Sequence, residues 1–241
     1  MPDLRTVTTC IILLLVILLQ ACAHSAANQD STPAKKNFNI KSLAKSDIDQ
    51  VLDVHVKEMR KYLRKLMIKL YKRNPRELRK NRLKTAQENI VRVFDLEHDW
   101  NFPELSGKKN VEALQLTFDN NYSGDRVFSF IVGLTSMVMA SYEYKKAFYI
   151  LDKIDPQKLY NSARNIEIAA WKLKNNLDPN NKLYLYSNSL PGEEINISYE
   201  RLFGKMIATQ DNMAIIIADK NNRIIRKVIQ RMATTAVFLP I

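Results

Sequence analysis

Hydrophobic positions repeat at spacings of three and four along most of the chain after residue 45, which is the period of an α-helix. The longest series covers residues 48–70 and follows a serine and two acidic residues at 46–49, which is typical of a helix start. The pair Asn74-Pro75 ends this helix and begins a second one, whose apolar face runs from Leu78 to Phe94. Two consecutive helices are therefore predicted at the start of the folded part.

An uncharged stretch of 16 residues, from Val127 to Tyr142, is the least polar part of the chain after residue 45. As a helix it would be about 24 Å long, which is short for a membrane span. We therefore predict a helix that is buried on all sides in the centre of the fold. Gly133 in its middle indicates a close crossing with another helix.

The remaining pattern predicts a short helix over residues 111–118, a long helix that begins at Asp155-Pro156, and a last helix from Ser198 to about residue 235. The only strand-like segments lie within residues 182–197, on either side of a Leu-Pro-Gly sequence, and could pair as one small β-hairpin. We predict an all-α fold, an irregular bundle of five or six helices, with this hairpin as its single β element.

The first residues indicate that the protein is exported from the cytoplasm. Residues 11–19 form an apolar run that is too short to span a bilayer and follows Arg5, as in a secretory signal peptide. The next segment, Leu19-Gln20-Ala21-Cys22, resembles the lipobox of bacterial lipoproteins. This resemblance implies that residues 1–21 are a signal peptide and that Cys22 becomes an acylated N-terminus. Because Ala23 follows the cysteine, it also implies the outer membrane of a Gram-negative bacterium.

Ordinary cleavage after Ala23 remains an alternative, and it would release a soluble exported protein. In either case Cys10 is removed with the signal peptide, so the mature chain has no intrachain disulfide. The residues that follow are small and polar, and residues 22–45 are predicted to be the lipidated cysteine and a flexible linker with a reach of roughly 25 Å. Residues 46–241 are predicted to form a single helical domain.

The composition adds one informative feature, an excess of positive charge. The chain of 241 residues has a net charge of +12 and 46% hydrophobic residues, which permits a good-sized core. Between residues 57 and 92 there are 14 basic and three acidic residues, a net charge of +11 on the first two predicted helices. The candidate anion-binding or partner-binding residues on this basic helix pair are Lys57, Arg60, Lys61, Arg64, Lys65, Lys72, Arg73, Arg76, Arg79 and Lys80.

The preferred functional hypothesis is a non-enzymatic envelope lipoprotein that docks an anionic partner through this helix pair. Nucleic acid is excluded as a routine partner because the chain is predicted to be exported. Anionic lipid head groups, a cell-wall anion or an acidic protein remain, while the oligomeric state is undetermined. A solvated surface with no partner is the simplest alternative.

The second hypothesis is an envelope enzyme or small-molecule carrier whose site forms only in the fold. Convergence of Arg126, Arg164, Glu167 or Asp211 in a deep pocket would favour it. No catalytic residues, cofactor or metal are predicted, because the three histidines do not have metal-ligand spacing. His55, on an apolar helix face, is predicted to be a hydrogen-bonded core residue.

Four short segments resemble a group of uncharacterised proteobacterial lipoproteins. They are residues 124–128 (GDRVF), 157–165 (QKLYNSARN), 201–205 (RLFGK) and 237–241 (VFLPI). The resemblance covers the whole predicted domain and implies a helical envelope protein, and it carries no activity.

Overall fold

A computed structural model of the chain describes residues 45–83, 85–190, 192–226 and 237–241. These residues form seven α-helices, and the predicted all-α fold is confirmed. The predicted signal peptide, Cys22 and the linker up to residue 44 lie outside the described residues. The helices are α1 (Asp47–Arg73), α2 (Pro75–Leu78), α3 (Ala86–Phe94), α4 (Asn110–Thr117), α5 (Arg126–Ser141), α6 (Pro156–Asn175) and α7 (Ser198–Lys220), with a short 3-10 helix at Pro103–Leu105.

Local capping residues fix two of the predicted helix starts. The Ser46 hydroxyl accepts a hydrogen bond from the Asp49 backbone N–H, and the Asp49 carboxylate accepts one from the Ser46 N–H at 2.8 Å, which completes a capping box. At the start of α6, the Asp155 carboxylate accepts from the Gln157 N–H at 2.9 Å, and Pro156 occupies the first helical position. These groups satisfy backbone donors that would otherwise lack a partner inside the helix.

Helix α5 is the centre of the hydrophobic core, as its uncharged sequence predicts. Every residue of α5 is buried, and α1, α4 and α6 all pack against it. Helix α4 approaches most closely at Gly133, where a Cβ atom would lie 2.5 Å from the backbone nitrogen of Leu114. The predicted close crossing is confirmed, and no helix among the described residues is both long and apolar enough to cross a membrane.

One buried glutamine joins three of the long helices. Gln210 of α7 accepts a hydrogen bond from the Tyr142 hydroxyl at 2.6 Å, and its amide donates to Ser162 of α6 at 2.9 Å and to Ser141 of α5 at 3.2 Å. All four side chains are fully buried. Because buried polar groups are costly unless they are paired, this network fixes how α5, α6 and α7 meet.

The segment from residue 75 to 94 differs from its prediction as a single helix. It forms the four-residue α2, then turns, and then α3, because Thr85 and Glu88 make a second capping box that starts a new helix. The predicted basic helix pair is therefore one long helix followed by two short ones. This split also explains why the described residues form seven helices where five or six were predicted.

The predicted β-hairpin is not formed by the described residues within 182–197. Leu183 instead makes an isolated antiparallel bridge with Leu177, because Asp178 turns the chain and accepts from the Lys182 N–H at 2.9 Å. The start of α7 also differs, since Ser198 is its first helical residue and makes no side-chain cap. The helix ends at the predicted break after Lys220, and residues 227–236 lie outside the described residues.

Candidate functional site

The ten predicted binding residues divide into two groups, those bonded within the fold and those left exposed. Six form ion pairs or hydrogen bonds with residues of the fold, and the side chains of the other four make neither among the described residues. The bonded group is Arg60, Lys61, Arg64, Arg73, Arg76 and Lys80. The exposed group is Lys57, Lys65, Lys72 and Arg79.

Two arginines of α1 fasten it to the end of α3. The Arg60 guanidinium donates to the Phe94 carbonyl, and Arg64 forms an ion pair with Asp95. Both guanidinium groups lie over the Phe94 ring, at 5.9 Å and 5.3 Å from its centre. Burial, followed by the neighbouring Arg64 charge, lowers the pKa of Arg60. Arg60 and Arg64 are therefore structural residues that hold α1 and α3 together.

Two arginines, at the end of α1 and in α2, hold the chain that follows α6. Arg73 pairs with Glu193, and Arg76 donates to the Tyr184 carbonyl at 3.2 Å. Lys80 pairs at 3.0 Å with Glu77, whose buried carboxylate also accepts the backbone N–H of Arg126 at the start of α5 at 3.0 Å. These cations neutralise carboxylates of the fold, so they contribute little charge to an external partner.

The exposed lysines of α1 form a stripe along one side of the helix. At 100° per residue, Lys57, Lys65 and Lys72 fall within an arc of about 80°. Lys61 lies in the same arc and forms an exposed ion pair with Glu58 at 3.1 Å, which is a weak interaction. The lysine stripe, defined as Lys57, Lys61, Lys65 and Lys72, is the part of the predicted basic face that remains available to a partner.

The lysine stripe ends in a cleft of about 650 Å³ between the end of α1 and the start of α7. Four cations, Lys69, Lys72, Arg73 and Arg201, line this cleft together with two glutamates, so its lining has a net charge of +2. One of the glutamates, Glu193, is already paired with Arg73. We call this feature the basic cleft.

Lys69 joins the two helices on either side of the basic cleft. Its ammonium donates to the Ser198 hydroxyl at 2.6 Å and lies 4.6 Å from the centre of the Tyr199 ring, and the Tyr199 hydroxyl donates to the Lys69 carbonyl at 2.9 Å. Burial, followed by the charges of Lys65 and Lys72, lowers the pKa of Lys69. Burial also raises the pKa of Tyr199 to about 12, so Tyr199 is neutral at physiological pH. These contacts between α1 and α7 fix the wall of the cleft.

Sequence reasoning did not identify two cations of the basic cleft, Lys69 and Arg201. One signal was available for Arg201, which lies in the first turn of α7, where the helix dipole disfavours a positive side chain. No signal was available for Lys69, because its position on the wheel of α1 lies between the polar and apolar faces. The contact between Lys69 and Ser198 joins residues 129 positions apart, and local pattern does not predict such a pairing.

The four residues named for the enzyme hypothesis do not share one site. Arg126 donates to the carbonyls of Thr117 and Tyr122, both at 2.7 Å, and so caps the end of α4. Arg164 forms ion pairs with Asp211 at 2.6 Å and with Glu167 at 3.1 Å, between α6 and α7. Burial raises the pKa of Asp211 and of Glu167, while Arg164 opposes the rise.

The two histidines among the described residues have structural surroundings. The His98 ring packs edge-to-face against Trp100 and at a tilt against Phe102, and one of its ring nitrogens lies 2.9 Å from the Val93 carbonyl. Burial lowers the pKa of His55, partly opposed by a hydrogen bond with the Thr209 backbone. His55 was predicted to be a core residue, but it is only half-buried, and its buried Nδ1 has no hydrogen-bond partner among the described residues. Among the described residues, no group of three or more metal-ligating side chains is placed to hold a metal ion.

No known protein family, curated protein or solved structure matches this chain. The lipobox resemblance and the resemblance to uncharacterised envelope lipoproteins stay predictions. The candidate site therefore depends on the lysine stripe and the basic cleft alone.

Proposed function

We propose that this chain is a lipid-anchored protein of the Gram-negative cell envelope, held at the outer membrane, and that it acts as a non-enzymatic binding module. Its anchor is the acylated Cys22, and its partner carries negative charge. Lipid head groups, a cell-wall anion and an acidic protein all have the required chemistry.

The observation that carries this proposal is the set of exposed cations that the fold leaves unpaired. Lys57, Lys65 and Lys72 have no ion pair among the described residues and lie on one side of α1. They lead into the basic cleft, where Lys69 and Arg201 add positive charge. The fold engages six of the ten predicted cations in ion pairs or hydrogen bonds and leaves this row unpaired, which supports an external site for anions.

The shape of the basic cleft supports recognition of a discrete anionic group. A carboxylate or phosphate in the cleft would have several cations around it, and part of its solvation shell would be replaced by their N–H donors. Near an anionic membrane surface, each such cation contributes about 1 kcal/mol to binding. Several cations are therefore needed for useful affinity, and the stripe and cleft provide them.

The test is binding of the full-length chain, in neutral detergent, to a fluorescent polyglutamate peptide and to a phosphate-bearing polymer. The variant Lys65→Glu/Lys72→Glu reverses two exposed charges of the lysine stripe, one of which, Lys72, also lines the basic cleft. We expect its affinity for at least one probe to fall by about tenfold or more, because two attractive cations become two repulsive anions. Raising the salt concentration should weaken binding of the parent chain in the same way.

The matched control is Lys108→Glu/Lys174→Glu, which makes the same change in net charge at two exposed lysines away from the stripe and cleft. It should bind nearly as well as the parent chain. Equal loss of affinity in both variants, or no binding of the parent chain to either probe, would contradict the proposal.

A further inference from the structure

A loop at the opposite end of α1 exposes three consecutive apolar side chains. Tyr149, Ile150 and Leu151 are 36%, 63% and 89% exposed, so exposure increases toward the tip of the loop. A run of large exposed apolar residues is unusual on the surface of a soluble protein unless something covers it. The loop is not part of the lysine stripe or the basic cleft.

The fold holds this apolar loop in a fixed turn. Phe148, just before it, is fully buried, and its backbone N–H donates to the Asp53 carboxylate at 2.8 Å. Asp152, just after the tip, accepts from the Tyr149 N–H at 2.9 Å, while its own N–H donates to the Tyr149 carbonyl at 2.8 Å. Because the turn satisfies these backbone groups internally, the tip presents apolar side chains to its surroundings.

Four lysines lie around the apolar loop. Lys45 pairs with Asp53 and lies 5.0 Å from the centre of the Tyr149 ring, and Lys145 pairs with Asp152. The flanking Lys146 and Lys153 are exposed and have no ion pair among the described residues. The acids beside the loop are thus neutralised, and two positive charges remain next to the apolar tip.

The loop lies beside the first described residue of the chain. Lys45 is the first described residue, and the predicted acyl anchor at Cys22 precedes it by 23 positions. Val54, on the second turn of α1, is also 59% exposed. Apolar surface and unpaired lysines therefore occur together where the chain from the anchor enters the fold.

We propose that the loop formed by residues 149–151 inserts into the head-group region of an anionic membrane and orients the domain on its surface. A tyrosine, two aliphatic side chains and flanking lysines match a membrane interface, where aromatic and apolar groups enter the acyl boundary and lysines contact anionic head groups. The inference uses the anchoring part of the proposed function but not its anionic partner at the basic cleft.

The test is fluorescence quenching in the full-length chain, reconstituted in vesicles that contain phosphatidylglycerol and lipids brominated near the head-group end of the acyl chains. The variant Leu151→Trp places a fluorophore at the tip of the loop. The variant Leu177→Trp is the control, because Leu177 is an exposed leucine next to Asp178. Asp178 lines a cleft with Arg76 of α2, which follows the far end of α1. The parent chain, with its two native tryptophans, gives the baseline.

We expect the fluorescence added at position 151 to be largely quenched and blue-shifted, and the fluorescence added at position 177 to be unaffected. In vesicles of phosphatidylcholine alone, quenching at position 151 should decrease because the lysines lose their anionic contacts. Both substituted side chains are exposed, so circular dichroism should show an intact fold in each variant.

Three outcomes would overturn the inference. These are no quenching at position 151 in vesicles that carry the chain, equal quenching at both positions, and a chain that does not float with the vesicles. The first two leave the binding test at the basic cleft unaffected. The third also contradicts the predicted lipid anchor. Flotation therefore distinguishes a chain that is anchored but does not insert the loop from a chain that is not anchored. Protection of position 151 by a protein in place of lipid would appear as the first outcome.

Discussion

At the scale of single residues, small side chains decide how closely α4 and α5 approach. Ser129 donates to the Ala113 carbonyl at 2.6 Å, and Ser136 accepts from the Asn110 N–H at 2.7 Å, on either side of Gly133. These three residues of α5 are spaced by four and three positions, so they lie on one side of the helix. The serines supply polar partners for backbone groups of α4, and the glycine allows the backbones to come into contact.

We predict that Gly133→Ala destabilises the fold by about 1–3 kcal/mol, because the new methyl group would meet the Leu114 nitrogen at 2.5 Å and the Asn110 carbonyl oxygen at 2.9 Å. Both neighbours are backbone atoms and cannot move aside without shifting α4. The measurement is the free energy of unfolding from urea denaturation. Gly204→Ala is the control, since its Cβ has no neighbour within 4 Å in the exposed part of α7. Helix propensity should make that variant equally stable or more stable by up to about 1 kcal/mol, and equal losses in both variants would contradict the close crossing.

At the scale of elements, the sequence correctly predicted those features of a helix that depend on residues close to it in the chain. The starts of α1 and α6 depend on caps within four residues, and the burial of α5 depends on its own lack of charge. The split at Thr85 was missed because the apolar spacing continues across it and resembles one helix. Which cations stay exposed could not be predicted, because the acids that neutralise them, such as Glu193 and Asp95, come from distant parts of the chain.

The junction between α1 and α2 depends on one buried asparagine. The Asn74 amide donates to the Leu70 carbonyl at 2.9 Å and to the Tyr186 carbonyl at 2.8 Å, and its oxygen accepts from the Tyr186 N–H at 2.7 Å. Asn74→Ala would leave the N–H and the carbonyl of Tyr186 without these partners, while the Leu70 carbonyl would keep its bond from the backbone N–H of residue 74. We therefore expect a loss of about 2–4 kcal/mol in the free energy of unfolding.

The control for this junction is Asn175→Ala at the end of α6. Its amide makes the same kind of bond, to the Trp171 carbonyl at 2.8 Å, but in an exposed position where water can replace it. Its loss should stay below about 0.5 kcal/mol. Similar losses at Asn74 and Asn175 would show that the tie to Tyr186 contributes nothing.

At the scale of the whole molecule, the stability of the fold depends on pH through partly or fully buried titratable groups. The carboxyl groups and His55 affect it in opposite directions. Burial raises the pKa of Asp125, Glu167 and Asp211, so their contributions are largest at low pH and decline as pH rises through the folded-state values. Burial lowers the pKa of His55 from its usual 6.5, so its contribution is complete above that pH. As pH falls below about 6.5, the unfolded chain binds a proton at His55 more readily than the folded chain does, and stability is lost.

We therefore predict that the parent chain loses more stability than His55→Gln when the pH is lowered from about 7.5 to 5.5, a window that starts above the usual histidine pKa. The measurement is the free energy of unfolding of both chains across this range. The acids are common to both, so the difference between the two curves isolates His55. His98→Gln keeps His55 and should follow the parent chain, and parallel curves for the parent and His55→Gln would contradict the prediction.

Helix α1 also has a mechanical consequence. With 27 residues it is about 40 Å long, and it has the apolar loop beside its first turns and the basic cleft at its last. If the loop rests on a membrane, α1 acts as a spacer between the membrane and the basic cleft. The tilt of α1 then sets the distance of the cleft from the membrane surface, with a maximum of about 40 Å. A partner in the cleft would then be held at a distance from the bilayer that no change in linker length could alter.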